Sequence, residues 1–236
     1  MRLRNYSGRV YRNFATSIVS QDLTDDLCAA AAEREILQEL FYTAEEKKPL
    51  PSPVERVLEK SEQQIIQEEI DKKFNPAQWC ASRYSDGTWA VLYAAESEET
   101  ALREALFHMR EFYREELASG PIEVQRRVLS LRMKSQHAVD LSREQGLNTT
   151  LLTSRDFSGY PYCQDLARRA LATGAELLRA PSARHSGGYC TPIFEKAAIA
   201  KDEGHLKYLR CTLQDEHSAQ VVSVVEGEAL LYRMDG

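Results

Sequence analysis

The sequence predicts a single α+β domain, and three observations carry that reading. Residues 8–14 alternate as a strand does, apolar residues recur at helical spacing over residues 22–47 and 52–74, and a β-prone run over residues 89–94 passes straight into a capped helix. At 236 residues there is room for one large domain or for a core with an insertion. No repeat and no low-complexity linker divides the chain, so residues 1–236 read as one domain, with residues 20–75 as a helical insertion.

Taken in order, the first strand places Val10, Arg12 and Phe14 on one face and Tyr11 on the other. Residues 22–47 then bring Leu23, Leu27, Ala30, Ala31, Ile36, Leu37, Leu40 and Phe41 onto one stripe. Pro49, Pro51 and Pro53 punctuate the chain. Ser52 is a suitable N-cap, Pro53 fits the first helical position and Glu55 completes a capping box, so a second helix is expected from there to about Phe74. The two helices form a hairpin inserted after the first strand.

Beyond residue 75 the pattern changes. After the run at residues 89–94, Ser97 caps a helix with Glu98 and Glu99 in its first turn, and Leu102, Ala105, Leu106, Met109 and Phe112 form its inner face. Residues 125–133 alternate Val128, Ser130 and Arg132 against Leu129, Leu131 and Met133, as a strand would. A short helix is expected over residues 165–174, with Leu166, Ala170 and Leu171 inward. Weaker strands are expected over residues 193–199, 209–213 and 219–225.

Composition excludes several classes. The formal charge of −6 opposes nonspecific nucleic-acid binding, which needs clustered Lys and Arg. No run approaches the roughly 18 apolar residues of a membrane span, and the opening residues lack a signal peptide's apolar stretch, so a cytoplasmic location is expected. Cys28, Cys80, Cys163, Cys190 and Cys211 are scattered and odd in number, which argues for reduced thiols. The histidines are equally dispersed, and no metal site is expected.

The chemistry concentrates between Arg83 and Glu104. Arg83, Tyr93 and Glu104 follow one another across a turn, a strand and a helix, placing a cation, a phenol and an acid on consecutive elements. Such a layout suits a phosphate-bearing ligand with one carboxylate left to act on a sugar. Taken singly, Glu104 reads as a solvated helix acid, Arg83 as a surface charge, Tyr93 as core packing and Ser182 as a turn residue. Their joint order is what raises them above that.

In that order the chain resembles the RES-domain family, named for its Arg, Glu and Ser. The resemblance rests on Val10-Tyr11-Arg12, on Arg83, and on Val91-Leu92-Tyr93-Ala94-Ala95-Glu96-Ser97 with Ala101 and Glu104. It continues through Tyr162-Cys163-Gln164 and Pro181-Ser182-Ala183-Arg184 to Ile193-Phe194. Where the family often has Gly-Gly-Arg-Trp-Asn, this chain has Ala81-Ser82-Arg83-Tyr84-Ser85. The family consists mostly of bacterial toxins of Xre–RES toxin–antitoxin modules.

The resemblance implies an ADP-ribosyltransferase-like split β-sheet core with flanking helices, and NAD⁺ as substrate rather than prosthetic group. It implies cleavage of the nicotinamide–ribose bond, with phosphate, water or a protein side chain as acceptor. Glu104 is then the catalytic carboxylate, favouring the positive charge that develops on the ribose and orienting its hydroxyls. Arg83 is the catalytic cation and pyrophosphate ligand, with Arg12 second; Tyr93, Ser182, Arg184 and Ser186 complete the binding set. His185 has the right type for proton transfer, but quaternary nicotinamide already leaves readily. An Xre-family antitoxin is the implied protein partner, and a homo-oligomer is compatible with the sequence. Two other readings stay open at this point: a mono-ADP-ribosyltransferase acting on a protein, and a catalytically inactive NAD-binding module that recruits a partner.

Overall fold

The alternating N-terminus becomes the first strand of an eight-stranded sheet. The computed structural model describes residues 1–15, 61–114, 116–200, 204–224, 227 and 229–233. The predicted helix over residues 22–47, and the cap at Ser52, lie outside them. In chain order the elements are β1 (Leu3–Ala15), α1 (Glu62–Lys73), the short hairpin β2 (Ala81–Ser82) and β3 (Ser85–Asp86), β4 (Leu92–Ala95) and α2 (Glu98–Phe112). They continue as β5 (Ile122–Asp140), α3 (Thr149–Leu152), α4 (Tyr160–Ala172), β6 (Leu177–Pro181), β7 (Tyr189–Ile193), β8 (His205–Asp215), β9 (Ser218–Ser223) and β10 (Ala229–Arg233).

The α+β expectation holds, with a large sheet and helices packed against it. The sheet runs β1-β4-β7-β6-β5-β8-β9-β10, and β1 also pairs with β5. Because β1 hydrogen-bonds to both β4 and β5, strands β1, β4, β7, β6 and β5 close on themselves. The β1–β5 seam is antiparallel, with Tyr11 opposite Ser130 and Asn13 opposite Val128. β6 joins β5 in parallel at residues 138–140, while β8 takes residues 122–130.

Several sequence boundaries shift. A helix running unbroken from Ser52 to Phe74 is not formed: Ser61 is extended (φ −66, ψ 154) and caps α1. Its hydroxyl accepts from Gln64 N at 3.3 Å while the Gln64 side chain accepts from Ser61 N at 2.9 Å, a reciprocal pair that satisfies two orphan donors. β5 is far longer than residues 125–133: burial goes on alternating from Leu131 to Gln136, and the strand ends in three consecutive buried residues, Ala138–Asp140, where alternation is lost. The helix expected at residues 165–174 begins at Tyr160, where Pro161 suits the first turn. The strand expected over residues 193–199 instead ends at Ile193 and gives way to a 3₁₀ turn at Lys196–Ala198.

Three apolar clusters hold these layers. Val10, Phe14, Leu92, Leu129, Leu131 and Ile193 pack with Ile66 and Ile70 of α1. Val139, Leu178, Ala180 and Phe194 meet Cys163, Leu166, Ala167 and Ala170 of α4. Val128, Leu209, Cys211, Leu213 and Val221 meet Leu102, Leu106 and Met109 of α2, the inner face read from its spacing. Each such large side chain, fully buried, contributes about 1.5–3 kcal/mol.

Candidate active site

Strand alternation decides which residues of β1 reach which helix. Val10, Arg12 and Phe14 face α1, whereas Tyr11 and Asn13 face α2. Arg12 and Glu69 of α1 are both almost wholly buried and paired at 2.8 Å; Arg12 Nη1 also donates to the Tyr93 carbonyl at 3.1 Å. Arg12 therefore borders the cavity described below while its guanidinium ties β1 to α1 and β4.

α2 begins directly after β4, its first turn held by Ser97 accepting from Thr100 N at 3.1 Å. Two turns in, Glu104 lines a cavity of about 80 Å³ together with Tyr93, Tyr84, Tyr160, Arg83 and Arg184. Its Oε1 accepts from Ser182 Oγ at 2.5 Å and from Cys190 Sγ at 3.3 Å. Among the described residues no donor reaches Oε2. The carboxylate is thus gripped by one oxygen only. Burial and the adjacent carboxylate push the Cys190 thiol well above its ordinary value, so it stays a neutral donor.

Ser182 is buried at the start of a tight loop. Its hydroxyl oxygen accepts from Arg184 N at 3.1 Å and His185 N at 3.0 Å while donating to Glu104. His185 Nδ1 lies 2.8 Å from Thr100 Oγ1, tying the same loop to the first turn of α2. Gly188 makes that approach possible: a Cβ there would stand 2.6 Å from Thr100 Oγ1 and 2.8 Å from His185 Nδ1. Ser182→Ala leaves two backbone donors and Glu104 short of a partner. It is expected to lower stability by about 1–3 kcal/mol, read by denaturant titration.

Arg83 sits on the β2–β3 hairpin, which Gln164 of α4 holds by donating to the Ser82 and Ser85 carbonyls at 2.8 and 3.1 Å. The guanidinium donates to the carbonyls of Leu152 (3.3 Å) and Ser154 (2.7 Å) and lies 5.0 Å from the Tyr160 ring centre. Burial alone would lower its pKa; Tyr160, Tyr84, Cys163 and Glu104 outweigh that and hold it above the ordinary value. Tyr93 lines the cavity with its ring, while its hydroxyl is engaged by Ser82 Oγ at 2.7 Å and Tyr84 N at 2.8 Å. Arg184 stacks on Phe107 with 3.4 Å to the ring centre, and burial pushes its pKa down to about 10 against the pull of Glu104.

The structure thus brings Arg83, Tyr93, Glu104, Arg184 and Arg12 around one cavity, with Ser182 behind Glu104 and bonded to it. Ser186 is exposed at the loop tip and is not among the residues lining it. Cys190, Asn13, Arg126 and Tyr160 line the site without having been singled out. Period-2 spacing on β1 was a usable signal for Asn13, which must share a face with Tyr11. A second, wider space of about 560 Å³ lies alongside, lined by Arg103, Phe107, Arg110, Arg155 and Phe157. Arg184 borders both, so it stands where they meet.

The held carboxylate of Glu104 shares its cavity with Arg83 and Arg184, beside a groove of small-molecule size, in an α+β domain. The RES domain family model matches residues 54–214, and the chain belongs to that family. The matched residues include Arg83, Tyr93, Glu104 and Ser182 and leave β1 outside. No curated protein matches the chain. Among solved structures, the crystal structure of the M. tuberculosis MbcT–MbcA toxin–antitoxin complex is similar at 13% identity and a TM-score of 0.45, covering 90% of this chain and 87% of that one. No helix among the described residues is long and apolar enough to cross a membrane.

Proposed function

We propose that this protein is an NAD⁺-degrading toxin with an ADP-ribosyltransferase-like core, cleaving the nicotinamide–ribose bond by phosphorolysis or hydrolysis. The observation that carries the reading is the Glu104 carboxylate, with Ser182 and Cys190 on Oε1 and Oε2 left toward the cavity. When the C–N bond breaks, its electron pair goes to the pyridine nitrogen and positive charge develops on the ribose. A carboxylate fixed beside that sugar stabilises the charge without having to reorganise.

The two spaces divide the dinucleotide. The wide groove falls within the ~300–1,000 Å³ range of small-molecule sites and carries several arginines for the diphosphate. The narrow cavity suits the nicotinamide end. Arg184 at their junction is placed to meet the pyrophosphate, and Arg83 sets the carbonyls that flank it. Family membership supports the toxin reading; an Xre-type antitoxin in the same cytoplasm and a homo-oligomeric assembly belong to the same proposal.

The test is incubation of pure protein with NAD⁺, with and without inorganic phosphate, following nicotinamide release. Faster release with phosphate, with ADP-ribose phosphate as product, identifies phosphorolysis; free ADP-ribose identifies hydrolysis. Label from NAD⁺ appearing on a protein in lysate would instead favour mono-ADP-ribosyl transfer. Absence of nicotinamide release under all conditions, with NAD⁺ binding retained, would favour an inactive binding module.

A further inference from the structure

Asn13 is 7% exposed and lines the narrow cavity, yet its Nδ2 has no hydrogen-bond partner among the described residues. Its orientation is fixed by Arg126, which is also buried. Arg126 Nε donates to Asn13 Oδ1 and Nη2 donates to the Asn13 backbone carbonyl at 3.2 Å. Arginine has no acceptor, so the carboxamide oxygen must face the guanidinium and the amide N–H₂ must point away from it. The result is a buried neutral donor, polarised by a cation behind it. A buried amide donor without a partner is costly, and a ligand acceptor would remove that cost.

Its position selects the ligand group. Arg184 borders both spaces, whereas Asn13 and Arg126 line the narrow one and not the wide groove. On the NAD⁺ reading given above, which this inference rests on, the diphosphate occupies the groove. The group that enters the narrow cavity is then the leaving pyridine with its carboxamide. That substituent offers one neutral carbonyl acceptor, the match for an uncharged donor. Phosphate would call for a cation instead.

We infer that Asn13, held by Arg126, is a specificity-determining residue that donates a hydrogen bond from Nδ2 to the carboxamide oxygen of the nicotinamide leaving group. It lies on β1, outside the residues that the family model matches.

The test substitutes Asn13→Asp, which keeps an acceptor for Arg126 but replaces the ligand-facing donor with an acceptor. Three dinucleotides are compared: NAD⁺, its 3-acetylpyridine analogue, which keeps the carbonyl, and the pyridine analogue, which lacks the acyl group. The expected result is a loss of roughly 30-fold or more in kcat/KM for the first two, with turnover of the third unaffected by the substitution. Equal losses on all three substrates, or none, would overturn the assignment. Should Asn13→Asp fail to fold, the wild type alone decides: it must prefer both carbonyl-bearing dinucleotides over the pyridine analogue, and equal rates overturn the inference. A wild type that turns over none of them refutes the NAD⁺ reading separately. Thermal stabilisation by nicotinamide, present in wild type and lost in Asn13→Asp, then still supports the donor, and its absence from wild type overturns it.

Discussion

Glu104→Gln is expected to lower kcat for nicotinamide release by about 1,000-fold, the scale on which one preorganised electrostatic group acts. Glutamine has nearly the same shape and can still present an oxygen to Ser182 Oγ and Cys190 Sγ, the two donors that seat the side chain. The fold and the binding of NAD⁺ are therefore expected to survive, and KM to change far less than kcat. What disappears is the negative charge beside the ribose. Single-turnover kinetics with isothermal binding measurements separate the two effects. A variant that releases nicotinamide at the wild-type rate would remove Glu104 from the chemistry.

Glu69→Ala is expected to be the most damaging single change to stability, costing about 3–5 kcal/mol in a urea titration. Arg12 and Glu69 have side chains 2% and 6% exposed and lie 2.8 Å apart. Removing the acid takes the buried carboxylate from Arg12 Nε, while Nη1 stays on the Tyr93 carbonyl. The penalty arises from breaking one half of a buried charge pair. Replacing both partners, Arg12→Met with Glu69→Leu, is accordingly expected to recover most of the loss. If the double variant were as unstable as Glu69→Ala, the half-broken charge pair would not be the cause.

The sequence was most legible where local chemistry and burial agree. α2 is the clearest case: Ser97 caps it, two acids occupy its first turn, and the residues at helical spacing are those that pack on β5 and β8. β6 was missed because Leu177 and Leu178 are both fully buried on a short strand, which erases alternation. β10 was missed for the opposite reason, since Leu230 and Leu231 are exposed and form no inward stripe. At the site, Arg83, Tyr93, Glu104 and Ser182 were readable through family resemblance alone. Cys190 and Arg126 were not, because their proximity is created by strand pairing and by no local pattern, whereas Asn13 could have been found from its shared face with Tyr11 on β1. Arg12 shows the limit of residue type: a guanidinium suits pyrophosphate, yet here it braces a helix.

The closure of β1 onto β5 makes the cavity a product of contacts between distant parts of the chain. Asn13 and Arg126 are 113 residues apart in the chain, and Ser182 reaches Glu104 across 78. Contacts at such separations form late, because loop-closure entropy must be overcome before they yield any stabilisation. β1 is made before β4 and β5, the strands it pairs with. The carboxylate on α2 likewise lacks its donors until Ser182 and then Cys190 have been made. The held carboxylate is therefore assembled only after β6 and β7 have been made and paired.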